Sequence, residues 1–86
     1  MSENVARETA LSAIQESLSP LIGENLARSS VKLHTEKLGL DGAQLSRDQL
    51  VSLLQQIGLG LRVFVGAERT DALTDQILST LFREGA

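Results

Sequence analysis

From Leu50 to Val65 the hydrophobic positions recur with the period of a helix. Wound at ~100° per residue, Leu50, Leu53, Leu54, Ile57, Leu61, Phe64 and Val65 fall within one arc of roughly 120°. That spacing predicts a core helix. Directly before it, Ser46-Arg47-Asp48-Gln49 has the form of a capping box, a Ser followed three residues later by Gln, so the helix is expected over 47–65. Leu59 and Val63 fall on its opposite side. A helix with a full core face and apolar residues behind it has a second surface to cover.

Three more helices are expected on the same grounds. In the first, over 3–18, Ala10, Leu11, Ile14 and Leu18 share a face and Ser2 is the N-cap. Ser19-Pro20 reads as the cap and first residue of the second, over 20–38, because proline suits the first helical position and pushes the residue before it toward an extended conformation. A sharp corner follows; the alternative is one long helix kinked at Pro20. The second helix has a wide apolar arc of Ile22, Leu26, Ala27, Val31, Leu33 and Leu38, and Gly39 ends it in the left-handed region. Asp41-Gly42 is a turn, pinned to the core by Leu40 and Leu45. The fourth helix, over 68–84, has Thr70 as a candidate cap, a face of Leu73, Ile77, Leu78, Leu81 and Phe82, and a stop at Gly85. No strand pattern or internal repeat is visible, and short loops favour antiparallel neighbours. The expected fold class is all-α, a compact four-helix bundle-like arrangement forming one domain over 1–86. Gly58 and Gly60 lie inside the third helix, each at a cost of ~1 kcal/mol relative to Ala. They mark either a close helix–helix approach or a weak helix end.

Size changes the picture. A chain of 86 residues buries only ~60–65% of its unfolded surface. With no Cys, neither disulfides nor thiolate–metal staples are available, which leaves oligomerisation as the common remaining one. Phe64 and Phe82 are the only aromatic residues, so the core must be aliphatic. The net charge of −3, with eight scattered basic residues, argues against nucleic acid as a partner. The N-terminus has no basic segment followed by an apolar one, and the run from Leu50 to Gly66 is too short and too polar to span a bilayer. A cytoplasmic protein is expected. The opening Met and the Gly85-Ala86 ending are expected of a whole gene product, the alternative being a piece cut from a longer one.

Candidate chemistry is sparse. His34, the only histidine, lies in the apolar arc of the second helix with Ser30 four residues before it. Nucleophilic catalysis would also need a residue orienting the imidazole and donors for an oxyanion, and no carboxylate is expected on that side. The expected role is structural: a partly buried His capped by Ser30 or a backbone carbonyl. One His, no Cys and carboxylates on outer faces give no metal-ligand set, and nothing supplies an aromatic haem pocket. Asp71 and Asp75 are four residues apart and could share a cation, but near a helix N-terminus such a pair reads as a solvated face. The third helix lacks the Asp-Ser-Leu attachment site of acyl carriers. It has only Arg47 and Gln49 where a DNA-recognition helix would group its base-reading side chains. Gly58-Leu59-Gly60 is not a phosphate loop.

These residues point to a non-enzymatic helical interaction module, a regulatory or adaptor subunit that forms a homodimer and binds another protein, with no cofactor. The alternatives are a dimeric DNA-associated regulator and a non-catalytic subunit of a larger enzyme. The candidate partner-binding residues are Val51, Leu59, Gly60 and Val63.

Overall fold

Helix α1 runs straight through Pro20. In the computed structural model, which describes residues 4–82, the elements are β1 (Asn4–Ala6), α1 (Arg7–Ile22), α2 (Glu24–Lys37), β2 (Gln44–Ser46), α3 (Arg47–Val65) and α4 (Ala67–Leu81). The protein is all-α, with four helices. The expected break at Ser19-Pro20 is displaced to Gly23. Pro20 sits in the last turn of α1, where its missing N–H removes one intrahelical bond, and Ser19 is a helical residue whose hydroxyl donates to the Gln15 carbonyl at 2.8 Å. Gly23 can break the chain because its backbone takes φ 90° and ψ 154°, a region closed to side-chain-bearing residues. Its N–H donates to the Ser19 carbonyl at 2.9 Å and its carbonyl accepts from Ala27 N–H at 2.9 Å, closing one helix and opening the next. Gly66, at φ 88° and ψ 162°, does the same between α3 and α4.

Thr70, expected as a cap, is the fourth residue of α4. It is buried, and its hydroxyl donates to the Gly66 carbonyl at 2.8 Å. Helix α3 has the expected bounds and the expected capping box: Gln49 N–H to Ser46 Oγ at 3.1 Å, and Ser46 N–H to Gln49 Oε1 at 2.8 Å. Helix α2 ends as expected at Gly39, φ 67°. The N–H groups of Gly39 and Leu40 donate to the carbonyls of Glu36 and Thr35, a Schellman motif that folds Leu40 into the core. The proposed cap at Ser2 and stop at Gly85 lie outside the described residues.

Two features were not expected from the sequence. Residues 4–6, assigned to the first helix, are extended and pair antiparallel with Gln44–Ser46 in the register Asn4↔Ser46, Val5↔Leu45, Ala6↔Gln44. The second is an internal repeat. Strand, helix, glycine corner and helix occur twice, as β1-α1-α2 and β2-α3-α4. Val5 pairs with its own counterpart Leu45, as an approximate two-fold axis between the strands requires. Helix packing follows the same symmetry: α1 packs on α2 and α3 on α4 within the halves, while α2 meets α3 and α1 meets α4 between them. Arg7 and Arg47 open the equivalent helices. The Arg7 Nε donates to the Leu40 carbonyl at 2.8 Å, and Arg47 lies 5.4 Å over the Phe82 ring, so each ties its half to the segment after that half's second helix.

The core is aliphatic apart from Phe82. Ala10, Ile14 and Leu18 of α1 and Ala27 and Val31 of α2 meet Leu50, Leu53, Leu54, Ile57 and Leu61 of α3 and Ile77 of α4, with Leu40 and Leu45 beneath the turn. The two helix-interior glycines differ. A Cβ on Gly58 would lie 3.2 Å from Thr70 Cγ2, so Gly58 is where α4 comes close to α3; a Cβ on Gly60 would meet nothing within 4 Å.

Leu54→Ala or Ile57→Ala is therefore expected to cost about 2–5 kcal/mol of stability in chemical denaturation. Gly60→Ala should stabilise dilute protein by about 0.5–1 kcal/mol through helix propensity. Gly58→Ala should gain less or lose stability, because Thr70 must shift. Equal gains at both positions would show that Gly58 is not a packing contact.

Candidate interaction face

The last two turns of α3, Gly58-Leu59-Gly60-Leu61-Arg62-Val63-Phe64-Val65, contain one charged residue. Ile57, Gly58 and Leu61 face inward, whereas Leu59, Val63 and Phe64 stand 65, 84 and 66% exposed. The exposure of Phe64 corrects its assignment to the core arc. Wide arcs overestimate burial, because only the middle of an apolar stripe is covered when each neighbouring helix touches one side. The same correction applies to α2, where Ala27 and Val31 are buried but Leu26, Leu33 and Leu38 are exposed.

Of the four candidate partner-binding residues, the structure brings three together. Leu59, Gly60 and Val63 form one exposed stripe on α3. Val51 is half-buried, two turns nearer the N-terminus and turned by ~80° from Leu59. Phe64 adjoins the stripe and Leu26 lines a groove with Phe64 and Gly60; these two, and Leu33 exposed farther along α2, were not singled out from the sequence, because their periodicity placed them in the core.

Between α2 and α3 lies a small apolar groove of about 100 Å³. Ile57 and Leu61 form its floor, with Ile22, Leu26, Ser30 and His34 along one wall and Gly60 and Phe64 along the other. His34 Nδ1 is enclosed and makes no hydrogen bond, so the expected capping partner is not supplied at that nitrogen. Burial, and secondarily the nearby Lys37 ammonium, lower the His34 pKa below its ordinary value of 6.5. No carboxylate lines the groove beside Ser30 and His34.

A larger, open cleft of about 640 Å³ separates α3 from α4; Leu54, Gly58 and Leu59 line it together with Gln55, Gln56, Arg62, Thr70, Asp71, Thr74 and Asp75. Arg62 Nη2 and Asp71 Oδ1 pair across it at 3.1 Å, both more than a third exposed, so the pair contributes only ~0–1 kcal/mol. Asp71 thus faces an arginine. Among the described residues no cluster of three or more His, Asp or Glu is placed to hold a metal, and no helix is long and apolar enough to cross a membrane. Of the two depressions, the α2–α3 groove has the more apolar lining and is the better suited to association, since removal of apolar surface from water is the main driving force.

Compared with known proteins, the chain matches no family model, no curated protein and no solved structure. Fold and face alone define its class: an all-helical protein of two β-α-α halves with an uncovered apolar stripe on α3.

His34 gives this face a pH signature. The folded state holds the imidazole below its unfolded pKa, so the neutral form is favoured by folding. The resulting stability is fully present above pH ~6.5 and is lost as pH falls from there through the folded pKa. Denaturation midpoints should therefore drop between pH 7 and 5.5 in the native chain and drop less in His34→Gln. The same slope in both proteins would assign the effect to other groups.

Proposed function

We propose that this protein is a small helical interaction module without catalytic activity, working in the cytoplasm as a regulatory or adaptor subunit that self-associates and engages another protein. The observation that carries this reading is the exposed apolar end of α3. Leu59, Val63 and Phe64 lie within six residues, and all three face water. Burying a large apolar side chain is worth about 1.5–3 kcal/mol, so such a cluster favours a covered state. A Cβ on Gly60 would meet nothing within 4 Å, which leaves the adjacent backbone open to close approach. Small size adds to the tendency, since a partner supplies buried surface that 86 residues lack.

Light scattering on concentrated protein tests the reading. A homodimer of about twice 9.2 kDa is expected. Leu59→Glu combined with Val63→Lys should move it toward monomer with helical circular dichroism unchanged. A monomer at all concentrations for the native chain would remove self-association from the proposal.

A further inference from the structure

We infer that a second copy of this chain docks across α2 and α3 together, in a two-fold interface built on Leu26 and Leu33 of one helix and Val63 and Phe64 of the other. The inference rests on the self-association proposed above and goes beyond it by assigning the α2 side, which the sequence had placed in the core.

The repeat supplies an internal comparison. Aligning the Gly23 and Gly66 corners matches residues 20–37 with 63–80, and the approximate two-fold carries the α2–α3 face onto the α4–α1 face. The two faces have the same scaffold but different surfaces. Leu26, Leu33 and Val63 correspond to Arg69, Gln76 and Pro20, and only Phe64 meets another large apolar residue, Leu21. The exposed leucines of α2 are therefore not required by the fold, because the other half keeps its packing with Arg and Gln in their places. What remains to account for them is a surface that covers them.

Charge and area indicate the occupant. On α2 the exposed stripe is Leu26, Ser29, Ser30, Leu33 and Lys37; on α3 it is Gln56, Leu59, Gly60, Val63 and Phe64. No carboxylate lines the groove between the two helices; Asp71 and Asp75 share the α3–α4 cleft with Gln56 and Leu59, at the outer edge of the α3 stripe. Two molecules of net charge −3 can thus meet over the groove without burying carboxylates at its centre, which has the charge depletion typical of interface cores. Leu26 and Leu33 are 43 and 55% exposed. With Leu59, Val63 and Phe64, the apolar surface on offer is roughly 500 Å² per copy. Doubled by a two-fold axis and joined by the intervening Ser and Gln side chains, it reaches the ~1,200 Å² at which specific dimers begin. The Phe64 ring stands beside the groove over Ile57 and Leu61, which gives the partner's equivalent side chain a place to seat.

Sedimentation velocity on the full chain, with Leu33→Glu as the α2 variant, Leu59→Glu with Val63→Lys as the α3 variant and Gln76→Glu as the matching control, tests the assignment. Leu33→Glu should raise the dimer dissociation constant roughly 30-fold or more, and Gln76→Glu should leave it within about 2-fold. A native chain that stays monomeric overturns both the self-association and this interface. A dimer broken by the α3 variant but untouched by Leu33→Glu overturns only the two-helix face. In case Leu33→Glu fails to fold, NMR shifts of the native chain on dilution give an independent reading. Changes grouped on residues 26–37 and 56–64 support the interface, and changes grouped on α1 and α4 refute it.

Discussion

The pairing of Asn4–Ala6 with Gln44–Ser46 determines where both long helices start, and the rest of the architecture follows from that placement. Strands of three residues have no independent stability. These are held because Leu45 is fully buried and because each strand leads directly into a helix whose apolar face continues the core. Once Val5 faces Leu45 across an antiparallel ladder, Arg7 and Arg47 open their helices in related positions, and each guanidinium reaches the far end of its own half. The two glycine corners then set how each second helix returns. Gly23 and Gly66 share a backbone conformation that a side chain would strain, so both halves make the same turn.

The packing built on this frame is economical in large residues. Of two aromatic side chains, Phe82 is buried under Arg47 while Phe64 stands in water. In a domain this small, with total stability of roughly 5–15 kcal/mol, an exposed phenylalanine beside the exposed Leu59 and Val63 forgoes several kcal/mol of burial. Gly58 and Gly60 sharpen the contrast. One admits α4 to within contact of α3; the other lies on the exposed stripe, where an added Cβ would meet nothing within 4 Å. On the α3–α4 side the small residue is used internally, and on the α2–α3 side it leaves the backbone open to the surface.

The difference between the halves bears most directly on function. A repeat within one chain shows which residues the scaffold requires at a position, since the scaffold is built twice. Ala10 and Leu50, Ile14 and Leu54, and Ala27 and Thr70 are buried in equivalent places. Leu26 and Arg69, and Leu33 and Gln76, are exposed in equivalent places and differ in character. The first set reports what folding requires, and the second is left free by the fold to differ. His34 belongs to the same contrast: its counterpart Ile77 is buried apolar, whereas His34 leaves an unpartnered nitrogen in the wall of the groove.

The sequence by itself determined α3 from its capping box to its terminal glycine, the Schellman end of α2, and the all-helical class. These depend on bonds and periodicities within a few residues, which the local sequence contains in full. It did not reveal the strands, because three extended residues leave no readable pattern and their partner lies forty positions away. Nor did it place the corner after α1, where proline signals a helix start but the position was decided three residues later by a conformation only Gly23 can hold. The repeat was hidden by an offset that changes from forty residues at Val5 and Leu45 to forty-three at Gly23 and Gly66, α3 being three residues longer than α1. Only the tertiary structure decided which apolar residues face water. Periodicity orders side chains around a helix axis, but the neighbouring helices determine how much of that arc is covered, and here they leave Leu26, Leu33 and Phe64 outside.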